Sequence, residues 1–284
     1  MEQLTSLSTQ QAKAKEFHRL HHNGKLLILP NIWDCLGALL LEDMEYPAIA
    51  TASASIAFSN GYDDGENIPF NDLLILLKRI ANAVNVPVTA DIESGYAEND
   101  GQLKTNIQQL LAAGIVGINI EDTDKRTRRL LPIEAQSNKI KLIKKTSTEM
   151  GVPLFINART DVYTQPDFDS PESKLEETIK RGAAYKEAGA DCFFPLAIQK
   201  ENDINQLIGQ LSMPINILLI PGVPELNVLQ ASGVARVSLG PSFLKIAIKA
   251  MKDLAMQLRE QGGLASITGN PITSDYLRSL VNKK

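Results

Sequence analysis

Short apolar runs alternate along this chain with longer segments whose apolar residues recur every three or four positions. The runs fall at 26–30, 48–53, 86–93, 117–122, 153–159, 192–197, 214–219 and 236–240. Most are continuously apolar, as strands buried on both faces of a parallel sheet are. The segments between them, at 34–44, 71–84, 102–113, 133–150, 172–188, 201–211 and 225–231, carry a helical period. "LLAAGIVG" and "YKEAGADC" each place a glycine just past a helix and just before a strand. An amphipathic segment at 242–261 follows the last strand, and a Gly-Gly pair separates it from a short final helix at 274–281. The polar N-terminal stretch reads as a solvated helix holding all three histidines, His18, His21 and His22.

Eight strand–helix units in 284 residues predict a TIM-type (β/α)8 barrel with an N-terminal helix and an extra C-terminal helix. A doubly wound open sheet competes, but it carries a glycine-rich turn after its first strand, and "LPNIWD" has no glycine. The expectation is one domain over 1–284, with 262–284 an extension that packs on a neighbouring subunit.

In a barrel the chemistry sits where the strands end. Those ends carry Asn31, Trp33 and Asp34; Thr51, Ser53 and Ser55; Asp91 and Glu93; Asn119, Glu121 and Asp122; Asn157, Arg159 and Asp161; Asn216; and Ser238. Asp91 and Glu93 share side-chain parity, and Glu121 can join them from the next strand. Three carboxylates at one mouth repel unless a cation sits among them, and a hard divalent ion with oxygen ligands is the natural one. Arg159 can clamp a carboxylate or phosphate, or pair with Glu121 or Asp91, or do both. Asp34 can serve the site or cap the helix it precedes. Asp122 reads as structural. Lys125, Arg126, Arg128 and Arg129 form either a solvated loop or a cationic lid over 123–131 whose charges repel until an anion binds.

Composition narrows the rest. With 29 basic and 33 acidic residues the net charge is −4, and no extended basic face suggests nucleic acid. Cys35 and Cys192 are far apart, with neither zinc spacing nor a disulfide framework, which suits a reducing cytoplasm. The N-terminus lacks an apolar signal core, and no apolar stretch is long enough to span a bilayer.

"LPNIWDCLGALLLE", "ATASASIAFSNGYDDGE", "PVTADIESGYA", "GINIEDTD", "FINARTDVY" and "RVSLGP" together resemble the isocitrate lyase/phosphoenolpyruvate mutase superfamily, in particular its short phosphonomutase-like branch. The resemblance runs from about Phe17 to about Leu258. It implies enolate-type chemistry with Mg2+, or Mn2+ in its place, on a small anionic carboxylate. By motif, Asp91, Glu93 and Glu121 match the metal acids. Arg159, Glu121 and Asp64 are the implied catalytic residues. Trp33, Ser53, Ala54, Asp91, Arg159 and Asn216 are the implied substrate contacts. A homo-oligomer, dimer or tetramer, is also implied. Two departures matter. Where isocitrate and methylisocitrate lyases carry Lys-Lys-Cys-Gly-His, this chain reads "EDTDKRTRRLLP". Where the phosphoryl-transfer members carry a histidine on the sixth strand, it reads "CFFPLAI". The expected activity is therefore cleavage of a C–C bond in a 2-oxo or 2-hydroxy di- or tricarboxylate, as in decarboxylation of an oxaloacetate-like acid or in a methylisocitrate lyase-type reaction. The alternatives are a P–C isomerase or hydrolase and a catalytically silent 2-oxo acid binder.

Overall fold

All eight expected strands form, and Pro30 splits the first of them in two. The computed structural model describes residues 2–168 and 170–282. In chain order its elements are α1 (Glu2–Leu20), β1 (Leu27–Leu29), β2 (Asn31–Ile32), α2 (Cys35–Asp43), β3 (Ile49–Thr51), α3 (Ser53–Ser59), α4 (Phe70–Ala83), β4 (Val88–Asp91), α5 (Asp100–Ala112), β5 (Gly117–Glu121), α6 (Ile133–Glu149) and β6 (Phe155–Thr160). A 3-10 turn (Val162–Thr164) leads to α7 (Pro171–Glu187), β7 (Cys192–Pro195), α8 (Glu201–Leu211), β8 (Asn216–Leu218), α9 (Leu226–Ala231), β9 (Arg236–Ser238), α10 (Ser242–Arg259), α11 (Leu264–Thr268) and α12 (Ser274–Val281).

Pairing is parallel throughout, in one sheet ordered β2-β3-β4-β5-β6-β7 and another ordered β1-β9-β8. A parallel bridge between Phe193 and Ile215 joins β7 to β8, and the chain itself joins β1 to β2. The barrel therefore closes. Pro30 interrupts the ladder because it has no N–H to donate. Local signals set the helix starts: Asn99 caps α5 by accepting from the Gln102 N–H at 3.0 Å, and Ser170 with Ser173 forms a capping box on α7.

The second strand is shorter than its expected 48–53 span. It stops at Thr51, and Ser53–Ser59 turns at once into α3, whose Ser53, Ser55, Ile56 and Ala57 are buried. This run mixes small polar and apolar residues, so its period was unreadable as a helix. α11 was likewise not expected.

One face of the N-terminal helix is docked rather than solvated. Phe17 and His21 are buried, the His21 ring stacks on Phe155 at 4.0 Å, and Phe17 meets Phe155 edge-on at 5.1 Å. Gln10 donates to the carbonyls of Leu111 and Ile115 at 2.8 and 3.1 Å. α1 is thus the floor of the barrel. Gly117 makes room for it, since a Cβ there would lie 2.7 Å from the Phe17 ring. The polar sequence of α1 hid this role, because its buried stripe of Ala14, Phe17 and Leu20 is narrow.

At the other end of the chain, α12 packs on α2 of its own chain, with Leu280 buried and the Tyr276 hydroxyl bonded to Asp43 at 3.1 Å. α10 instead leaves Ile246, Ile248, Met251, Met256 and Leu258 exposed and buries Leu244.

Candidate active site

β4, β5 and β6 bring the acids together by register. Asp91 pairs with Asn119, and Glu121 pairs with Arg159, so residues of one parity line the interior at the strand ends. Asp91 Oδ2 accepts from the Ser53 hydroxyl at 2.9 Å and from the Ser53 N–H at 3.4 Å. That contact sets the first turn of α3 against the end of β4.

After Asp91 the chain turns sharply. Glu93, Gly95 and Tyr96 have φ of 50°, 109° and 53°. Gly95 is needed twice over, because a Cβ would also meet Leu103 at 2.8 Å. Left-handed backbone at Glu93 and Tyr96 is strained, and such strain gathers at functional sites. The turn buries the Glu93 carboxylate, which accepts from the Tyr96 hydroxyl at 3.0 Å. Burial pushes this carboxyl up to about 7, with the nearby Asp91 and Asp64 charges adding to it. Asp64 is also raised, by burial and by Asp91, and its Oδ1 is buried without a hydrogen-bond partner among the described residues.

Glu121 and Arg159 meet at 2.8 Å, with side chains only 12% and 19% exposed. Asp161 takes the other side of the guanidinium, at 2.6 Å to Nε and 3.0 Å to Nη2, and Thr123 donates to Asp161 at 2.8 Å. Burial disfavours charge on Arg159, but Glu121 and Asp161 outweigh it and hold the guanidinium well above its usual range. Burial pushes Glu121 up while Arg159 pulls it down. The net effect leaves Glu121 well above the usual carboxylate range, while the arginine beside it keeps its proton at neutral pH.

The three expected metal acids do not form a ready cage: among the described residues no group of three His, Cys, Asp or Glu side chains converges to hold an ion. Each acid has taken a donor of its own, Ser53 for Asp91, Tyr96 for Glu93 and Arg159 for Glu121. The residues still fit Mg2+, which binds through one or two carboxylates and keeps several waters. Asp64, with its orphaned buried oxygen, and Glu93 are both carboxyls raised by burial and by neighbouring negative charge, as acids lacking a counter-cation are.

Other expectations resolve individually. Asp34 caps α2, accepting from the Gly37 N–H at 2.7 Å. Asp122 is fully buried and structural: it accepts from Thr160 at 2.6 Å, Tyr185 at 2.7 Å and Arg181 at 3.0 Å. Trp33 is half-buried just beyond β2, and Ala54 lies beside Ser53 in α3. Asn216 is not at the mouth. It begins β8 opposite Arg236 and is fully buried, with its amide 3.3 Å from the Ser238 hydroxyl. The strand end that the sequence suggested begins two residues later.

The basic loop is not a cluster of mutually repelling charges. Lys125 pairs with Glu98 at 2.9 Å and Glu66 at 3.2 Å, Arg126 also pairs with Glu98, and Arg129 pairs with Asp167. Arg128 lies over Gly65, where a Cβ would approach its guanidinium to 2.7 Å. Glu66 also accepts from Ser94 at 2.6 Å and the Tyr96 N–H at 2.8 Å, which ties the loops after β3, β4 and β5 together. Glu66 is the residue the sequence reading missed. Its one signal was an acid placed just after Asp64 in "GYDDGE".

Comparison with known proteins agrees with this architecture. An uncharacterized protein of Mycobacterium tuberculosis is 34% identical over 225 residues, covering 79% of this chain and 81% of that one. The 2-methylisocitrate lyase of Bacillus subtilis is 29% identical over 215 residues, covering 73% and 67%. A solved structure from Burkholderia cenocepacia, described as a candidate lyase/mutase, superposes with a TM-score of 0.87 at 30% identity, covering 96% of each chain. The phosphoenolpyruvate phosphomutase family matches residues 17–259, and this chain belongs to that family.

Proposed function

We propose that this protein is a Mg2+-dependent lyase that cleaves a C–C bond in a small 2-oxo or 2-hydroxy di- or tricarboxylate through an enolate. The observation that carries the reading is Arg159, whose guanidinium is fixed between Glu121 and Asp161 at the mouth and feels the charge of Asp91. A guanidinium fixed in this way is pre-organised for a substrate carboxylate. Asp91, with Asp64 and Glu93 around it, would hold the Mg2+, and Mn2+ could replace it. When bound, the cation stabilises negative charge that develops on a substrate oxygen. Ser53 presents its N–H and hydroxyl beside Asp91 and would orient the second carboxylate. The loops tied by Glu66 and Lys125 would exclude water from the enolate. The absence of a histidine from β7 (Cys192–Pro195) supports C–C over P–C cleavage, and similarity to a 2-methylisocitrate lyase is in line with it. Among the described residues no helix is long and apolar enough to cross a membrane. The reading is of a cytoplasmic homo-oligomer.

The test is turnover of oxaloacetate, methylisocitrate and phosphonopyruvate with and without Mg2+. Pyruvate or glyoxylate that depends on Mg2+ is the expected product. Inorganic phosphate released from phosphonopyruvate would instead assign P–C chemistry. Binding without turnover of any of the three would mark a silent 2-oxo acid binder.

A further inference from the structure

Among the described residues Arg236 is the largest fully buried side chain, and none of its guanidinium nitrogens has a hydrogen-bond partner. It begins β9, where it pairs in register with Asn216 on one side and Leu27 on the other. Its parity is that of Ser238, which receives the Asn216 amide, so it points into the barrel. Two groups at opposite ends bracket it. His21, on the floor, feels its positive charge, and the Asp91 carboxylate, at the mouth, acts on the guanidinium from the other side. The guanidinium therefore lies inside the barrel between α1 and the carboxylate site. Burial lowers it only to about 10, so it is charged at neutral pH.

The surroundings show how such a charge is held. Asn157 Oδ1, Asn216 Oδ1, Thr89 Oγ1 and His21 Nε2 are also buried without partners. Thr89 lies two residues before Asp91 on β4, and Asn157 pairs in register with Cys192, which also feels Arg236. Donors on one residue and acceptors on four others, none in direct contact, are the pattern that bridging water satisfies. An inorganic anion fits less well, because it would satisfy the guanidinium and face the amide oxygens unpaired. Water solvates a charge but does not neutralise it. In a low-dielectric interior the remaining field extends to the mouth.

We propose that Arg236 is a positioning residue for the mouth: an internally hydrated cation whose field, acting from beneath Asp91, favours an anionic ligand there and opposes a bare metal ion. The proposal rests on the reading of the mouth as a metal-and-carboxylate site. It accounts for an arrangement that is poor for stability, since a buried charge without a neutralising partner is costly and an apolar replacement of similar size is often neutral or stabilising.

Calorimetry with two probes tests it, using Mg2+ alone and then oxalate added to Mg2+-saturated protein. In Arg236→Met and Arg236→Gln, Mg2+ alone should bind several-fold tighter, while oxalate should bind on the order of tenfold weaker. Arg236→Lys keeps the charge and should stay within about threefold of the wild type for both probes. The melting temperature of Arg236→Met should not fall. Shifts of both affinities in the same direction, or of neither, overturn the proposal, as does failure of both neutral variants to fold. If the wild type binds neither probe, the reading of the mouth fails and this inference falls with it. If the opposite shifts appear without turnover of any 2-oxo acid, only the lyase reading is lost.

Discussion

Glu121 and Arg159 are register partners at the ends of β5 and β6, and their side chains close the same rung with a 2.8 Å contact. One strand pairing thus places an acid and its cation at the mouth and leaves the Arg159 side chain 19% exposed. Arg159→Lys keeps the charge and loses the planar fork that Asp161 and Glu121 grip. Its kcat/KM on a 2-oxo acid should drop by about two orders of magnitude, a loss of roughly 3 kcal/mol of transition-state stabilisation. Steady-state kinetics on the variant check this, and a wild-type value would remove Arg159 from the site.

The proposed metal site rests first on Asp91. Asp91→Asn should keep the Ser53 contact in neutral form and so leave the fold in place. Mg2+ affinity by titration calorimetry should fall at least about 100-fold, since a charged oxygen ligand is lost. Stability should move by no more than about 1 kcal/mol, the worth of an ordinary hydrogen bond. Unchanged Mg2+ binding would move the metal elsewhere.

His21 predicts an acid sensitivity with a defined sign. Burial, together with the positive charge of Arg236, depresses its folded value to about 3, with further small effects from His18 and His22. In the unfolded chain it titrates near about 6.5. Below that pH the unfolded state takes up a proton that the folded state refuses. The His21 contribution to stability is therefore full above about pH 6.5 and is lost as pH falls toward 3, by about 1.4 kcal/mol per pH unit. His21→Phe keeps the stacking on Phe155 and removes the titration. Its melting temperature should drop less than the wild type's between pH 7 and pH 5, and equal slopes would contradict the assignment.

α10 exposes five large apolar side chains on a helix that follows the last barrel strand. Of these, Met251 and Leu258 share the helix face of Leu244, Ala247 and Leu254, and an exposed apolar face of this kind favours burial against another copy of the chain. Light scattering at micromolar concentration should give a dimer or tetramer for the wild type. Met251→Lys combined with Leu258→Glu should shift it to monomer. A wild-type monomer would leave this face without that partner.

The strand rhythm was legible because strands buried on both faces are apolar without interruption, and several follow glycine-marked helix ends. Gly114 and Gly189 do adopt left-handed φ, at 95° and 103°. Asp91, Glu121 and Arg159 were legible because charged residues that end such runs have few places to point. α3 and the floor helix α1 were not. Ser53–Ser59 has too little contrast between its faces for a period to show, and α1 docks through one narrow stripe in a polar sequence.

The sequence by itself determined the barrel, the order of its strands and the acids and arginine at their ends, because side-chain parity and apolar runs are local properties of the chain. Tertiary structure decided what each charge faces. Lys125, Arg126 and Arg129 look like a repelling cluster along the chain, yet their partners Glu66, Glu98 and Asp167 lie on other loops. Asn216 looks like a mouth residue until the register with Arg236 buries it in the barrel. Pairing of charges and depth within a barrel depend on distances between segments remote in sequence, and only closure of the sheet sets those distances.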